Sequence, residues 1–474
     1  MACLIAAPCS GSGKTLLSLC LAAAVQRRGE SLQPFKVGPD YLDPQLLAAV
    51  AGRPCRNLDS ILCGEPWLRG SFHWHGSRAD RVLVEGVMGL FDGRGPGSEG
   101  SSAAVAALLD LPVVLVVEAL RQAGSLAALV RGFRDHGPPA VRLAGVVLNR
   151  VGSERHRQLL AEALQAIAMP LLGILPHHPA LELPSRHLGL LPAAELADLR
   201  ERQHIWADLA ERHLELPALL PLLAPPPPGA DPILQLFPQA PAEPMAAVAV
   251  AQDAALHFRY PETSELLEAV GLATVPWSPL SDAALPADTA AVLLPGGYPE
   301  LHAERLADCG RSLASLAAAA ARGVPLVAEC GGLLLLGQSL ADAEGRLHPM
   351  AGLLPFVARR GDLSLGYRQA RSQVDGLLVR RGESCSGHEF HRWQLDPLPT
   401  HPAAAAPGGA SAGPLWQLSG WGCPDRLEGW SGPRLHASWL HLHWAGAPAM
   451  VRRLAAVVHG TAPTAAVPPE YGPP

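Results

Sequence analysis

The chain is 474 residues long with 49% apolar residues, too long for one ordinary domain and well supplied for two or three cores. A formal charge of −6, 17% charged residues and no basic block argue against a nucleic-acid or anionic-membrane partner, and the longest apolar stretch is punctuated by Asp110 and Glu118, short of the roughly 18 uncharged residues a membrane span needs. Nine cysteines, an odd count at irregular spacing, read as the reduced thiols of a cytoplasmic protein.

Residues 2–7 form an apolar run, residues 8–13 a turn, and residues 14–28 a helix that Gly29 closes. This is the layout of a phosphate-binding loop. Across Gly11, Ser12 and Gly13 the backbone N–H groups curl around oxyanions, Lys14 reaches terminal phosphates, Thr15 offers a hydroxyl to magnesium, and the helix N-terminus adds partial positive charge. Pro8 stands where the pattern G-x-x-x-x-G-K-[ST] has its first glycine. Lys14 also interrupts the apolar run that a secretory signal would require.

A second strand, residues 32–37, runs into GPDYLDP and gathers Lys36, Asp40, Tyr41 and Asp43 at its carboxyl end, where open α/β sheets keep their ligands. A third, residues 82–84, ends at Glu85, placed as a direct or indirect magnesium partner. The apolar runs LPVVLVVEAL and VRLAGVVLNRV add buried parallel strands, with a helix over 124–133 between them. Asn149, past the second of these, either reads an adenine edge or serves as a plain turn residue. A last strand in MPLLGILPHHP completes an alternation that predicts a doubly wound parallel sheet.

Residues 184–223 read as helical, and then four consecutive prolines make residues 224–244 a semi-rigid linker. A new α/β series opens near residue 246, with a helix over 261–271 and a strand and turn over 291–297. In VPLVAECGGLLLLG, residues 324–328 are a buried strand, residues 329–332 a tight corner, and residues from 333 a helix. A cysteine on such a corner sits at a helix N-terminus, which lowers its thiol pKa and exposes the sulfur, so Cys330 is the candidate nucleophile. Its base must come from elsewhere in the chain. Residues 435–444 alternate like a strand carrying His441 and His443 on one face and His436 on the other, while His388 and His391 in GHEFHRW are a rival pair. His441 and His443 lack the companions of a zinc set. Gly296 and Gly297, after a strand, are placed to complete an oxyanion hole with the amide of Gly331.

The succession APCSGSGKT, FKVGPDYLDP, VEGVMGLFDG, GVVLNRVGS, LPSRHLGLLPA, LPGGYPELH, AECGGLLLLG, GHEFH and WLHLHW, in that order from residue 1 to about 450, resembles the cobyrinate a,c-diamide synthases, a family of cobBQ-type glutamine amidotransferases. The resemblance implies an α/β chain in which a phosphate-loop domain, a doubly wound parallel sheet of dethiobiotin synthetase type, spans 1–223. A linker over 224–244, a class I glutamine amidotransferase-like α/β domain over 245–455 and a disordered tail over 456–474 follow. It implies a ligase using ATP and Mg2+, with glutamine as nitrogen donor, that amidates the a and c acetate side chains of a corrinoid.

On this resemblance Cys330 attacks the glutamine carboxamide, His441 takes the thiol proton, and Gly297 with Gly331 holds the oxyanion. Lys14, Thr15, Lys36 and Glu85 handle ATP and magnesium, while Asp40 and Asp43 orient a corrinoid carboxylate or complete the metal shell. Arg186 anchors another substrate carboxylate, ammonia travels by a sheltered route, and a homodimer is compatible with the family. The chain departs from the pattern at Pro8, at Glu118 where an aspartate is usual, and at His443, which takes the slot of the glutamate that orients the histidine in class I glutaminases; a Cys–His dyad or an atypical triad with His443 follows. Residues 401–414 read as a mobile low-complexity insertion. The alternatives are a cobyrate synthase-like, hydrogenobyrinate or nickel-sirohydrochlorin homologue and, from another class, a nucleotide switch with an inactive amidotransferase module.

Overall fold

The computed structural model describes residues 2–186, 189–190, 193–239, 245–398 and 413–461. It divides into two compact units, residues 1–60 with 65–232, and residues 61–64 with 233–474. The low-complexity insertion, apart from its last two residues, lies outside the described residues, as does the expected tail from residue 462; its first residues, 456–459, are instead the last turn of the helix Pro448–His459, with Ala456 buried.

The first unit is built on seven parallel strands: β1 (Cys3–Ala6), β2 (Leu32–Val37), β3 (Arg56–Leu58), β4 (Arg81–Glu85), β5 (Val113–Glu118), β6 (Leu143–Val151) and β7 (Leu171–Pro176), in the order β3-β2-β4-β1-β5-β6-β7. Strand β1 is wholly buried at the centre, and the turn after it opens where the strand order reverses, the place where such sheets bind ligands. Helix α1 (Lys14–Arg27) is buried nearly all round because it packs between the sheet and the later helix Leu199–His213, and its apolar sequence from Leu17 to Val25 answers to that. Two apolar layers, one on each face of the sheet, complete the unit. Where residues 184–223 read as one helical stretch, the structure has a short hairpin, β8 (Ser185–Arg186) with β9 (Gly189–Leu190), before Leu199–His213. The proline run is not a free linker throughout. Pro226 lies 2.9 Å from where a Cβ on Gly76 would stand, and the Pro227 carbonyl meets His73 Nδ1 at 3.0 Å, so residues 226–229 are packed on the helix Gly64–Gly76.

The second unit has a parallel half and an antiparallel half. Strands β10 (Ala246–Ala251), β11 (Leu256–Phe258), β12 (Leu272–Trp277), β13 (Thr289–Leu294), β14 (Gly296–Gly297) and β15 (Leu326–Glu329) are followed by β16 (Ser339–Ala341), β17 (Leu347–Pro349), β18 (Val357–Ser372), β19 (Ser384–Asp396), β20 (Gly413–Gly420), β21 (Cys423–Gly432) and β22 (Leu435–Ser438). The main sheet runs β12-β10-β13-β15-β22-β21-β20-β18-β16-β17, with β19 added on β18, and its first five strands are parallel. The two-residue strand β14 pairs with β11 outside that sheet.

Two expected elements are shorter than their sequence suggested. The helix after Cys330 is a single turn, Gly331–Leu334. Strand β22 stops at Ser438 rather than 444: its parallel neighbour β15 ends at Glu329, and past that point only the single bridge between His441 and His388 continues.

Candidate active sites

In the first unit the loop has the backbone its motif requires. Gly11 and Gly13 take φ of 82° and 111°, left-handed values that favour glycine. A Cβ on Gly13 would stand 2.5 Å from Asn149 Nδ2, which donates to the Ser12 carbonyl at 3.1 Å. Asn149 is buried within β6 and braces the loop through its amide N–H, which makes it more than a plain turn residue. Ser12 Oγ is likewise turned inward, donating to the Cys9 carbonyl at 3.0 Å. The Lys14 ammonium donates to the Met88 carbonyl at 2.5 Å and reaches Cys9 O at 3.5 Å; burial, then the neighbouring Lys36 charge, lowers its pKa.

Register explains the next cluster. Lys36 on β2 is the direct lateral partner of Glu85 on β4, so residues 49 apart in sequence meet at adjacent strand ends. The Lys36 ammonium donates to Glu85 Oε1 at 2.7 Å and to Asp43 Oδ2 at 2.5 Å, with Asp40 Oδ2 at 3.6 Å. Thr15 Oγ1 donates to Glu85 Oε1 at 2.9 Å and lies 3.4 Å from Asp43 Oδ2. Asp40 Oδ1 accepts the N–H groups of Leu42 and Asp43 at 2.9 and 3.2 Å, capping the helix Leu42–Ala51.

Burial alone would neutralise Lys36, but Asp43, Glu85 and Asp40 hold its pKa well above the usual range. Burial would also raise Asp43, yet Lys36 keeps it low, whereas Asp40 is pushed up to about 7 by burial and by the Asp43 charge. Lys36, expected to meet ATP, donates here to Glu85 and Asp43. Thr15, Asp43 and Glu85 supply the hard oxygen donors that suit magnesium. Among the described residues no group of three or more His, Cys, Asp or Glu side chains is arranged to hold a metal.

In the second unit Cys330 takes φ 47° and ψ −110°, a strained conformation for a residue with a Cβ, of the order of 1–3 kcal/mol. Its N–H donates to the Ser438 carbonyl at 2.8 Å, which ties the corner to β22. The glycines after it are dictated by contact: a Cβ on Gly332 would fall 2.1 Å from the Leu294 carbonyl, and one on Gly331 would fall 2.8 Å from the backbone N of Gly297. A Cβ on Gly296 would stand 2.2 Å from Cε1 of His441. The pair Gly296–Gly297 therefore touches both the nucleophile corner and the His441 imidazole. The expected fall in the Cys330 pKa is corrected: burial, and then the Glu300 charge, raise it, because one helical turn is too little to offset desolvation.

His441 exchanges backbone hydrogen bonds with His388 at 2.9 and 3.0 Å, and its imidazole is held neutral, its pKa lowered to about 3 by burial and the nearby His388 and His391. His443 lies with its ring 4.6 Å from Tyr260 and its Nε2 3.9 Å from Glu262. The rival His391 stacks on Trp439 at 3.8 Å and meets the Trp393 carbonyl through Nδ1 at 2.9 Å, and His436 is buried edge-on to Trp416.

Residues 3–191 match the CobQ/CobB/MinD/ParA nucleotide binding domain and residues 247–449 the CobB/CobQ-like glutamine amidotransferase domain. The chain is 44% identical to a cobyrinate a,c-diamide synthase of Gloeobacter violaceus, over 96% of this chain and 98% of that one. It belongs to the cobyrinate a,c-diamide synthase family. A Synechocystis cobyrinate a,c-diamide synthase is 41% identical over 96% of this chain and 93% of its own, and a hydrogenobyrinate a,c-diamide synthase of Streptomyces coelicolor 42% over 95% and 96%. No described helix is long and apolar enough to cross a membrane.

Seen as a member of this family, the chain brings together the phosphate loop with Asp40, Asp43 and Glu85, and Cys330 and Gly331 with Gly297. The Arg186 side chain lies outside the described residues. Glu118 pairs with Arg150 at 3.0 Å. Two carboxyls that sequence reasoning passed over fasten the segment carrying His441. Glu428 accepts Ser438 Oγ and Trp439 N–H, both at 2.7 Å, at its start; Glu329 accepts the Trp444 indole at 3.0 Å and the Leu442 N–H at its end. Burial pushes both up to about 7. The signal was present at Glu329, a charged residue directly before the cysteine in an apolar strand.

Proposed function

We propose that this protein is an ATP- and Mg2+-dependent ligase of the cytoplasm that amidates the a- and c-acetate carboxylates of cobyrinate with nitrogen from glutamine, in cobalamin biosynthesis. Residues 1–223 are the carboxylate-activating domain and residues 245–455 the glutaminase. The observation that carries the reading is the convergence of the Cys330–Gly331 corner, Gly296, Gly297 and His441 in a domain whose partner domain holds a phosphate loop with Gly11 and Gly13 in left-handed conformation.

In the glutaminase, the Cys330 sulfur bonds to the carboxamide carbon of glutamine while the thiol proton passes to neutral His441. The N–H groups of Gly297 and Gly331 receive the charge that develops on the carboxamide oxygen. His441 returns the proton to the departing nitrogen, ammonia leaves, and water then cleaves the thioester to glutamate. His443 assists by holding the His441 segment against Tyr260 and Glu262.

In the first unit, Gly11, Gly13 and Lys14 hold the nucleotide phosphates; the substrate carboxylate attacks the terminal phosphoryl group of ATP, whose bond to the bridging oxygen breaks so that ADP leaves, and ammonia then displaces phosphate from the acyl phosphate. Thr15, Asp43 and Glu85 would hold magnesium, which would supply charge neutralisation at the phosphates. Asp40 caps the helix and presents a second carboxyl to the substrate side.

The 42% identity to a hydrogenobyrinate enzyme favours a second reading, in which the corrinoid carries no cobalt. Purified protein with ATP, Mg2+ and glutamine, offered cobyrinate, hydrogenobyrinate and sirohydrochlorin in turn, is expected to add two amides to cobyrinate by mass spectrometry. Diamide from hydrogenobyrinate alone would select the second reading, and no corrinoid amide from either would end both.

A further inference from the structure

Glutamine reaches the glutaminase as a zwitterion, and hydrolysing its side-chain amide requires recognition of an α-ammonium three carbons away from the reacting carbon. A buried site must meet that charge with an opposite one. The second unit offers such a group. Glu300 lies on the turn Pro299–His302, which Tyr298 separates from the glycine pair, and Pro299 Cδ lies 2.9 Å from where a Cβ on Gly331 would stand. The turn therefore rests on the nucleophile corner. Glu300 is 8% exposed, pairs with no cation among the described residues, and accepts only its own backbone N–H.

The other buried carboxyls of this unit lie against partners: Asp342 meets Arg346 Nε at 2.8 Å and His348 Nε2 at 2.9 Å, and Glu262 stands 3.9 Å from His443 Nε2. Glu329 and Glu428 fasten the His441 segment, and Glu389 is paired with Arg368 at 2.7 Å and with Arg426. Glu300 fastens nothing. A carboxyl kept inside a protein without a partner costs stability, and that cost has a reason when a cationic ligand completes the pair.

We propose that Glu300 receives the α-ammonium of glutamine and so selects the amino acid over other primary amides. The inference rests on the glutaminase reading above. It has a consequence for the nucleophile, since the Glu300 charge opposes ionisation of Cys330. A bound ammonium cancels that opposition, so the thiol is readied when substrate is seated and stays protonated when it is not.

The test compares hydrolysis of L-glutamine with that of 4-carbamoylbutanoate, the same amide lacking the α-ammonium, by the full-length wild type, Glu300→Gln and Glu300→Asp. The wild type is expected to prefer glutamine by about 100-fold in kcat/KM, as a site with a buried charged partner discriminates against the analogue that leaves it unpaired. Glu300→Gln is expected to lose most of that preference, through a higher KM for glutamine and, with the charge that opposes Cys330 ionisation gone, a rise of a few-fold in kcat/KM for 4-carbamoylbutanoate. Glu300→Asp, which keeps the charge, is expected to fall between and carries the comparison if the glutamine variant does not fold. A merely structural role would lower both substrates together. An unchanged preference in the variants, with wild-type glutaminase intact, overturns the assignment of Glu300 alone; absence of any wild-type glutamine hydrolysis overturns the underlying reading and this one with it.

Discussion

Each unit places its chemistry where a central parallel strand runs into a glycine-bearing turn and then a helix, yet the two corners are electrostatic opposites. After β1 the site is ionic: one ammonium, Lys36, is clamped between Glu85 and Asp43 with Asp40 close by, and there the carboxylates keep Lys36 charged and Lys36 keeps Asp43 ionised against the pull of burial. After β15 the site is desolvated and close to neutral: the Cys330 thiol is pushed up, the His441 imidazole down to about 3, and the carboxyls of Glu300 and Glu329 up to about 7. A shared strand-turn-helix corner therefore does not set the chemistry. What packs around it does. Phosphate and magnesium bring charge of their own and need a polar receptacle, whereas an uncharged carboxamide is best attacked in a dry pocket that holds its proton carriers neutral until the bond forms.

The sharpest way to break the contrast is to disable each corner in turn. Cys330→Ala is expected to cut glutamine-dependent amidation by about 10³-fold or more while amidation from ammonium chloride persists. Lys14→Ala is expected to abolish both. If Cys330→Ala lost the ammonia reaction as well, with an unchanged circular dichroism spectrum, the two corners would not be separable and the division of labour would be wrong.

Next in size is the ionic clamp. Lys36→Met leaves three carboxylates of one sign without their common cation, and removing one partner of a buried pair costs about 3–5 kcal/mol. Urea unfolding of the variant should show a midpoint lowered to match, with part of the loss recovered by millimolar magnesium, because a divalent cation among Asp43, Glu85 and Thr15 replaces the missing charge. A midpoint unchanged from wild type would mean that the carboxylates carry no mutual repulsion and that the ionic description of this corner is mistaken.

How far the sequence revealed these corners differs between them. The phosphate loop is local, so Gly11, Gly13, Lys14 and Thr15 could be read off one short stretch. The company Lys36 keeps could not, because it depends on β2 lying beside β4 in a register that periodicity does not specify. The same holds in the second unit. Cys330 and the glycines announce themselves, but the antiparallel half, with its long strands β18 and β19, was not foreseen, and it is β19 that brings His388 to the backbone of His441. The alternation over 435–444 suggested a strand throughout. It persists past Ser438 because Leu440 and Leu442 are buried in a segment held by Glu428, Glu329 and His388 rather than by a ladder. Apolar alternation reports burial on alternate sides, and a tethered loop delivers that as well as a strand does.

The neutral description of the second corner makes a finer prediction at Glu428. Its carboxyl is sealed, accepts Ser438 Oγ and Trp439 N–H, and burial lifts its pKa from an ordinary 4.5 to about 7. The folded state therefore binds a proton that the unfolded chain has released across pH 4.5–7. In that window the group's contribution to stability is fully present below 4.5 and drains away as the pH rises through 7, at up to about 1.4 kcal/mol per pH unit. His441 and His436, each lowered to about 3, work in the other direction: the unfolded chain binds their protons first, so their contribution is present above 6.5 and is lost as the pH falls toward 3. In Glu428→Gln the carboxyl's share vanishes and the histidines' share remains. The variant is less stable overall, since its amide accepts less well than the carboxyl. Yet its stability relative to wild type should rise between pH 4.5 and 7, by roughly 3 kcal/mol in all. Urea midpoints for the two proteins at half-unit pH intervals measure this difference directly. Parallel curves would show that Glu428 is ionised in the folded protein, and the dry, neutral character assigned to the His441 segment would fall with it.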